Sequence, residues 1–367
     1  MYDFANSGYT TVVITAVFNA YFVAEVAHNA AWATLAWTCA LAVSYLAIIV
    51  TAPVIGAYAD ANANKKKLLA ITTAGCVIAT AALALVGPGE IALAVVLIVL
   101  SNYFFGTGEN LIAAFLPEIA PEEAMGKVSG WGWALGYCGG LVALGLCLAY
   151  VGYAQAQDLP PSHFVPVAML ITAALFAAAS APTFLFLRER AIATNAQAGA
   201  RAAALRLKET LQHAARYTDM RRFLGCVVFY QAGIQAVVVL AAVYAQQVMG
   251  FTTRDTIGLI LVVNVTAAIG AYAFGYVQDR LGHVRTLALT MVGWIAAVML
   301  AYVAQGPALF WAAANLVGVC LGSSQSAGRA LTGYLSPPAR AAEFFGLWGL
   351  AVKLSAVLGP ITYGLVT

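Results

Sequence analysis

Three charged residues lie inside long apolar stretches of the chain. Glu109 follows two nearby glycines, Arg329 follows a polar run of serines and glutamine, and Lys353 lies well inside the last apolar stretch. A charge in an apolar, lipid-like environment is costly unless it is paired or hydrated. Residues of this kind can form an ion pair, carry a proton or bind a solute of opposite charge.

Each of the three charges has more than one interpretation. Glu109 and Arg329 lie at a similar depth in their stretches, which favours an ion pair between them; alternatively, each pairs locally or reaches the aqueous edge. Glu109 is also a candidate to carry a coupling proton. Lys353 either meets a substrate carboxylate or is a buried amine satisfied by a neighbouring group.

Two pairs of polar residues recur at helical spacing. Asp3 and Asn6 share a helix face at i, i+3, and Gln231 and Gln235 share one at i, i+4. The first pair either lines a cavity or caps the start of a helix. The second either binds a solute or joins two helices by hydrogen bonds, which is the commoner role for an amide inside a membrane.

The composition indicates the environment of these residues. Of 367 residues, 62% are hydrophobic and only 9% are charged, against about 25% charged in an average soluble domain. Lipid is the solvent that suits such a surface. Since a spanning helix needs about 20 apolar residues, we predict an all-α polytopic membrane protein with about eleven spans, at 5–27, 31–57, 67–87, 91–116, 127–152, 163–187, 223–248, 256–277, 286–304, 307–333 and 344–366.

A sequence motif occurs twice, each time at the end of an apolar span. Gly56 and Asp60 form one G-x-x-x-D copy, Gly275 and Asp279 form the other, and basic residues follow both, among them Arg280 and Arg285. One interpretation is a simple topology turn with each aspartate capping a helix. The other makes each aspartate an electrostatic latch on helix ends of the opposite half.

The charges and repeats predict how the chain is divided. Most of the 18 Lys and Arg residues lie in alternate loops, which the positive-inside rule places in the cytoplasm. We predict a six-helix half over 1–187, a basic linker over 188–222 and a second half of about five helices over 223–367. The linker is either solvated or forms a surface helix between 202 and 217. Because the chain begins and ends in apolar sequence, we expect a lead-in and a twelfth span to be missing.

Together these patterns resemble the major facilitator superfamily, and in particular the branch of unknown major facilitators related to the autophagy-linked vacuolar amino-acid effluxer. The Asp279 copy of the motif matches the superfamily signature better, because Ala61 replaces the usual arginine in the other copy; we therefore expect Asp279 to matter more. The remaining similarity lies in segments 2–7, 108–118, 129–137, 343–346 and 359–360.

The resemblance implies a bundle of two six-helix repeats and a secondary transporter that works by alternating access. It suggests export of small polar solutes, amino acids among them, across a bacterial inner membrane, with either proton coupling or uniport. The alternatives are a non-transporting scaffold or sensor with the same fold and, more weakly, a channel.

The sequence lacks the motifs of several enzyme classes. It contains no G-x-x-x-x-G-K-[ST] phosphate loop, no H-E-x-x-H and no G-x-S-x-G. The six cysteines stand singly inside apolar runs, so we expect neither disulfides nor metal ligands. We expect no enzyme activity, cofactor, metal or nucleic acid, and a monomer whose partners are lipid, a small-molecule substrate and, in the coupled mode, protons.

Overall fold

The computed structural model of the protein describes residues 1–191, 199, 202, 205, 207–209 and 217–366. The alternative interpretations of the basic linker, including a surface helix between 202 and 217, lie largely outside these described residues.

Eleven long helices make up the described part of the chain. They are α1 (Tyr2–Val26), α2 (Ala33–Asn62), α3 (Lys65–Ala82), α4 (Ile91–Ala113), α5 (Met125–Gln155), α6 (Pro161–Phe186), α7 (Thr218–Gln247), α8 (Thr253–Leu281), α9 (His283–Tyr302), α10 (Pro307–Leu335) and α11 (Ala341–Val366). Each corresponds to one predicted span. All except α7 contain a described segment that is long and apolar enough to cross a membrane. The predicted all-α membrane fold is confirmed.

Local sequence explains where several helices end or change shape. The α2 helix ends at Ala63, which adopts a left-handed conformation with φ of 48°, and α8 begins with a capping box formed by Thr252 and Asp255. The α1 helix is not uniform, since Thr10–Ala16 and Phe22–Val26 are wound as π-helix. Segments of π-helix are rare, and those that occur frequently lie at functional sites.

Glycines bring helices of the first six into close contact with helices of the later five. A side chain at Gly346 of α11 would lie 2.7 Å from the carbonyl oxygen of Ala52 in α2. A side chain at Gly130 of α5 would lie 2.5 Å from the carbonyl oxygen of Ala271 in α8. Close approach of two membrane helices requires such small residues. The α2–α11 and α5–α8 contacts therefore hold the two groups of helices together.

These contacts lie toward one end of the bundle. There α2 ends and α3 begins, and α8 ends and α9 begins. We call this the basic end, because it carries Lys65, Lys66, Lys67, Arg280 and Arg285. The six cysteines are free: Cys76, Cys147 and Cys320 are buried, whereas Cys39, Cys138 and Cys226 are exposed on the helix surfaces.

Candidate functional site

A cavity of about 380 Å³ lies between the two groups of helices. Its wall is formed by side chains from α1, α2, α4, α5, α7, α8, α10 and α11. All of the predicted substrate or coupling residues except Gln231 line it, namely Asp3, Asn6, Glu109, Gln235, Arg329 and Lys353. The structure therefore brings residues from distant parts of the chain into one site, which we call the central cavity.

The first ion pair of the central cavity joins Arg329 of α10 to Asp3 of α1. Their N–O distance is 2.9 Å. Arg329 also donates to the side-chain and backbone oxygens of Ser129 in α5, at 3.1 and 2.7 Å, and its guanidinium lies over the ring of Trp133. Arg329 is thus held by two helices of the first six.

The second ion pair joins Lys353 of α11 to Glu109 of α4, at 3.3 Å. The ammonium group also lies 5.4 Å from the ring centre of Tyr45 and 6.0 Å from that of Phe105. The geometry therefore favours the interpretation of Lys353 as a buried amine satisfied by its neighbours.

The predicted ion pair between Glu109 and Arg329 is wrong for this conformation. Each residue has a different partner across the cavity. The physical reason is the backbone of α5: Gly132 leaves room for the Asp3 carboxylate beside Arg329. Depth in the membrane alone did not predict this, because the neighbour of a helix is set by tertiary packing.

The remaining predicted polar residues divide between the cavity and the helix contacts. Gln231 is buried away from the cavity and donates to the side-chain oxygen of Gln325 at 3.2 Å. This is the helix-joining role weighed for it above. Gln235 lines the cavity. Two further amides lie inside the bundle: Asn264 also lines the cavity, and the amides of Asn264 and Asn315 each donate to a carbonyl within their own helix.

A second cavity, of about 480 Å³, adjoins the first on the side of the basic end. It is lined mainly by apolar side chains of α4, α5 and α6. Asp3 and Arg329 border both cavities. Their ion pair is therefore part of the wall between the central cavity and the second one.

The aspartates of both copies of the G-x-x-x-D motif bind helix starts on the opposite side of the bundle. Asp279 accepts hydrogen bonds from the backbone N–H groups of Gly126 and Lys127, at 2.8 and 2.9 Å, where α5 begins. Asp60 accepts from those of Ala342 and Glu343, at 3.2 and 2.9 Å, where α11 begins. The first N–H groups of a helix lack partners within it and carry partial positive charge, so a carboxylate binds there favourably.

The basic residues around these aspartates differ from the expectation. Arg280 and Arg285 are exposed and take no part in the described hydrogen bonds and ion pairs. Lys65, one of the basic residues that follow the first copy of the motif, is fully buried and pairs with Asp60 at 3.7 Å and with Glu118. One indication of this pair was present in the sequence. Ala61 follows Asp60 at the position where the motif usually has an arginine, so Lys65 is the next cation along the chain that can neutralise Asp60.

Every contact described above between the first six and the later five helices lies at the basic end or around the central cavity. Together with the spanning helices, this arrangement is that of a membrane transporter of the major facilitator superfamily. Solved structures share the fold. The human organic anion transporter MFSD10 is 14% identical with a TM-score of 0.76, covering 100% of this chain and 91% of that one. The proton:xylose symporter XylE is 17% identical with a TM-score of 0.70, covering 100% and 86%.

Sequence comparison identifies the family within that class. The model of the family described as "Vacuole effluxer Atg22 like" matches residues 33–367, and the chain belongs to this family. The uncharacterized MFS-type transporter YxiO of Bacillus subtilis is 27% identical over 366 residues, which are 98% of this chain and 85% of the relative. Autophagy-related protein 22 of Chaetomium globosum is 27% identical over 267 residues, 65% of this chain and 40% of the relative.

Proposed function

We propose that this transporter exports small polar solutes, amino acids among them, from the cytoplasm through the central cavity. The observation that carries the proposal is the pair of ion pairs, Asp3–Arg329 and Glu109–Lys353, which face one cavity and join the two groups of helices across it. Binding a polar solute there and changing the contacts between the two groups would involve the same residues. This is what alternating access around a mid-membrane site requires.

The moving bodies in this proposal are residues 1–187 and 223–367, joined by the linker 188–222. Support comes from the latches of Asp60 and Asp279, which bind helix starts across the bundle and close its basic end. In the outward-open state both latches and both ion pairs are formed. Opening the basic end breaks them and exposes the central cavity to the cytoplasm.

The proposed orientation rests on charge, and the proposed location rests on a bacterial relative. The positive-inside rule places the basic end in the cytoplasm, and the relative YxiO belongs to a bacterium, which supports a bacterial inner membrane. The amino-acid cargo is suggested by the family relation to vacuole effluxers. We also propose that the protein works as a monomer and that Glu109, the more exposed member of its ion pair, carries a proton in a coupled mode.

A liposome experiment tests this function. Purified protein is reconstituted, and the efflux of a labelled amino-acid mixture is followed with and without a pH gradient. We expect saturable efflux that Arg329→Ala and Glu109→Gln each reduce strongly, because each leaves a charge in the cavity without its partner. Asp158→Asn, which alters an exposed loop residue, is the matched control.

Two results would contradict the proposal. Unchanged rates in both cavity variants would remove the ion pairs from the mechanism. Absence of saturable flux for every solute in the mixture would favour a scaffold or sensor that keeps the fold. A rate that does not respond to the pH gradient would identify uniport in place of proton coupling.

A further inference from the structure

The two ion pairs of the central cavity share an asymmetry in exposure. The Asp3 side chain is 21% exposed and that of Arg329 only 9%. The Glu109 side chain is 30% exposed and that of Lys353 only 13%. The four charges sum to zero, so the sign of the charge that a solute contacts in the cavity depends on which of the four groups are exposed. In both pairs the more exposed group is the carboxylate.

The two cations are also occupied by other protein groups. Arg329 uses Nε and both terminal nitrogens on Ser129 and Asp3, and Trp133 covers its guanidinium. The Lys353 ammonium lies between Glu109 and the rings of two aromatic residues. A solute carboxylate would have to displace one of these carboxylates and leave it unpaired in a medium of low dielectric, which is costly.

The carboxylates, by contrast, retain binding capacity. Within the described contacts, Asp3 accepts through Oδ2 and Glu109 through Oε2. An ionised carboxylate offers about four lone-pair sites on its two oxygens, so Oδ1 of Asp3 and Oε1 of Glu109 can each accept a further hydrogen bond without loss of the ion pair. Ser7, Thr10 and Thr11, on the adjoining turns of α1, supply hydroxyl groups to the same cavity.

We infer that the site recognises its solutes by an ammonium group, bound by the carboxylates of Asp3 and Glu109. The inference rests on the proposed transport function and specifies the chemical class of its cargo. Amines and zwitterions that present an ammonium group are substrates, and solutes that carry a carboxylate alone are not. Lys353 and Arg329 hold the two carboxylates in position and do not bind the solute.

A mixture of solutes that share a carbon skeleton and differ in charge tests the inference. Proteoliposomes are loaded with equimolar L-norvalinamide, L-norvaline and pentanoate, which share a carbon skeleton, and with the corresponding trios built on alanine and phenylalanine. Efflux of each compound is measured by mass spectrometry and corrected with protein-free liposomes. We expect each amide to leave at least about tenfold faster than its carboxylate, the ratio that corresponds to about 1.4 kcal/mol of differential binding.

Variants separate recognition from stability. Asp3→Asn and Glu109→Gln should each lower the amide-to-carboxylate ratio, whereas Asp158→Asn should leave it unchanged. A variant that is merely less stable lowers all fluxes in proportion and does not change the ratio.

The possible failures are distinguishable. Faster efflux of the carboxylates than of the amides, or a ratio that neither variant changes, would overturn the inference while transport stands. Absence of saturable efflux for all the compounds and for the wider amino-acid mixture would overturn the proposed function itself.

Discussion

At the scale of single residues, a row of glycines on α5 determines how the cavity is built. Gly132, Gly136 and Gly140 face α1, and a side chain at each would meet Asp3, Ser7 or Thr11. Glycines at this spacing form a ridge of small residues on which a neighbouring helix can pack closely. The structure adds that the ridge packs against a polar face of α1, so the glycines give the Asp3 carboxylate its place beside Arg329.

We predict that Gly132→Ala disrupts the Asp3–Arg329 ion pair. The added methyl group would overlap both the Asp3 carboxylate and the Arg329 guanidinium, and overpacking of this kind costs about 1–3 kcal/mol. The variant should unfold at a lower temperature in detergent and lose most of its efflux activity. The matched control is Gly145→Ala on the same helix, where a side chain would meet nothing within 4 Å. Equal behaviour of the two variants would show that Gly132 has no special role.

At the scale of helices, two carboxylates at the basic end bind two helix starts across the bundle. Asp60 and Asp279 each accept two backbone N–H groups. The better-preserved motif around Asp279 led to the expectation that this aspartate matters more. The contacts give Asp60 the same two bonds and, in addition, the buried ammonium of Lys65, so we now expect Asp60→Asn to have at least as large an effect.

The prediction is that Asp60→Asn and Asp279→Asn each open the basic end. Loss of the charge at a helix start costs about 1–2 kcal/mol, so the open population should rise roughly 5- to 30-fold. The probe is a cysteine at Ala330, a buried position packed against Leu116, Ala120 and Met125, in a background in which the native cysteines are replaced. Its rate of maleimide labelling in detergent should rise in both variants.

The control for this labelling is Asp219→Asn, because the Asp219 side chain is 81% exposed and pairs only loosely with Arg222 at 4.0 Å. An unchanged labelling rate in both latch variants would mean that the carboxylates cap their helices without restraining the opening of the basic end.

At the scale of the whole molecule, we predict opposite movements at the two ends of the bundle. Spin labels at the exposed residues Glu123 and Leu281 report the basic end, and labels at Tyr153 and Tyr302 report the opposite end. A transported solute should lengthen the first distance and shorten the second, because the proposed alternating access rocks the two halves about the central cavity. Double electron–electron resonance measures both.

A label pair within the first six helices, at Leu85 and Tyr153, is the control for this movement and should not change. Movements of equal sign at both ends, or a change in the control pair as large as the others, would contradict rocking between 1–187 and 223–367.

The sequence by itself determined the helices, the membrane environment and six of the polar or charged residues that line the cavity. The reason is that backbone polar groups in lipid must be satisfied within each helix, so long apolar segments leave little choice of structure. A polar residue inside such a segment also needs a polar surrounding. For this reason Asp3, Asn6, Glu109, Gln235, Arg329 and Lys353 could be predicted as candidate functional residues, and the structure places all six around one cavity.

Only the tertiary structure decided which of these residues meet. Arg329 binds Asp3 and Ser129 in place of Glu109, and the buried Lys65 pairs with Asp60. Whether two charged side chains form an ion pair depends on how closely their helices approach and on whether another side chain fills the space between them. That information lies in the helix-to-helix contacts across the bundle, because each chain segment specifies its own helix but not the neighbour on which the helix packs.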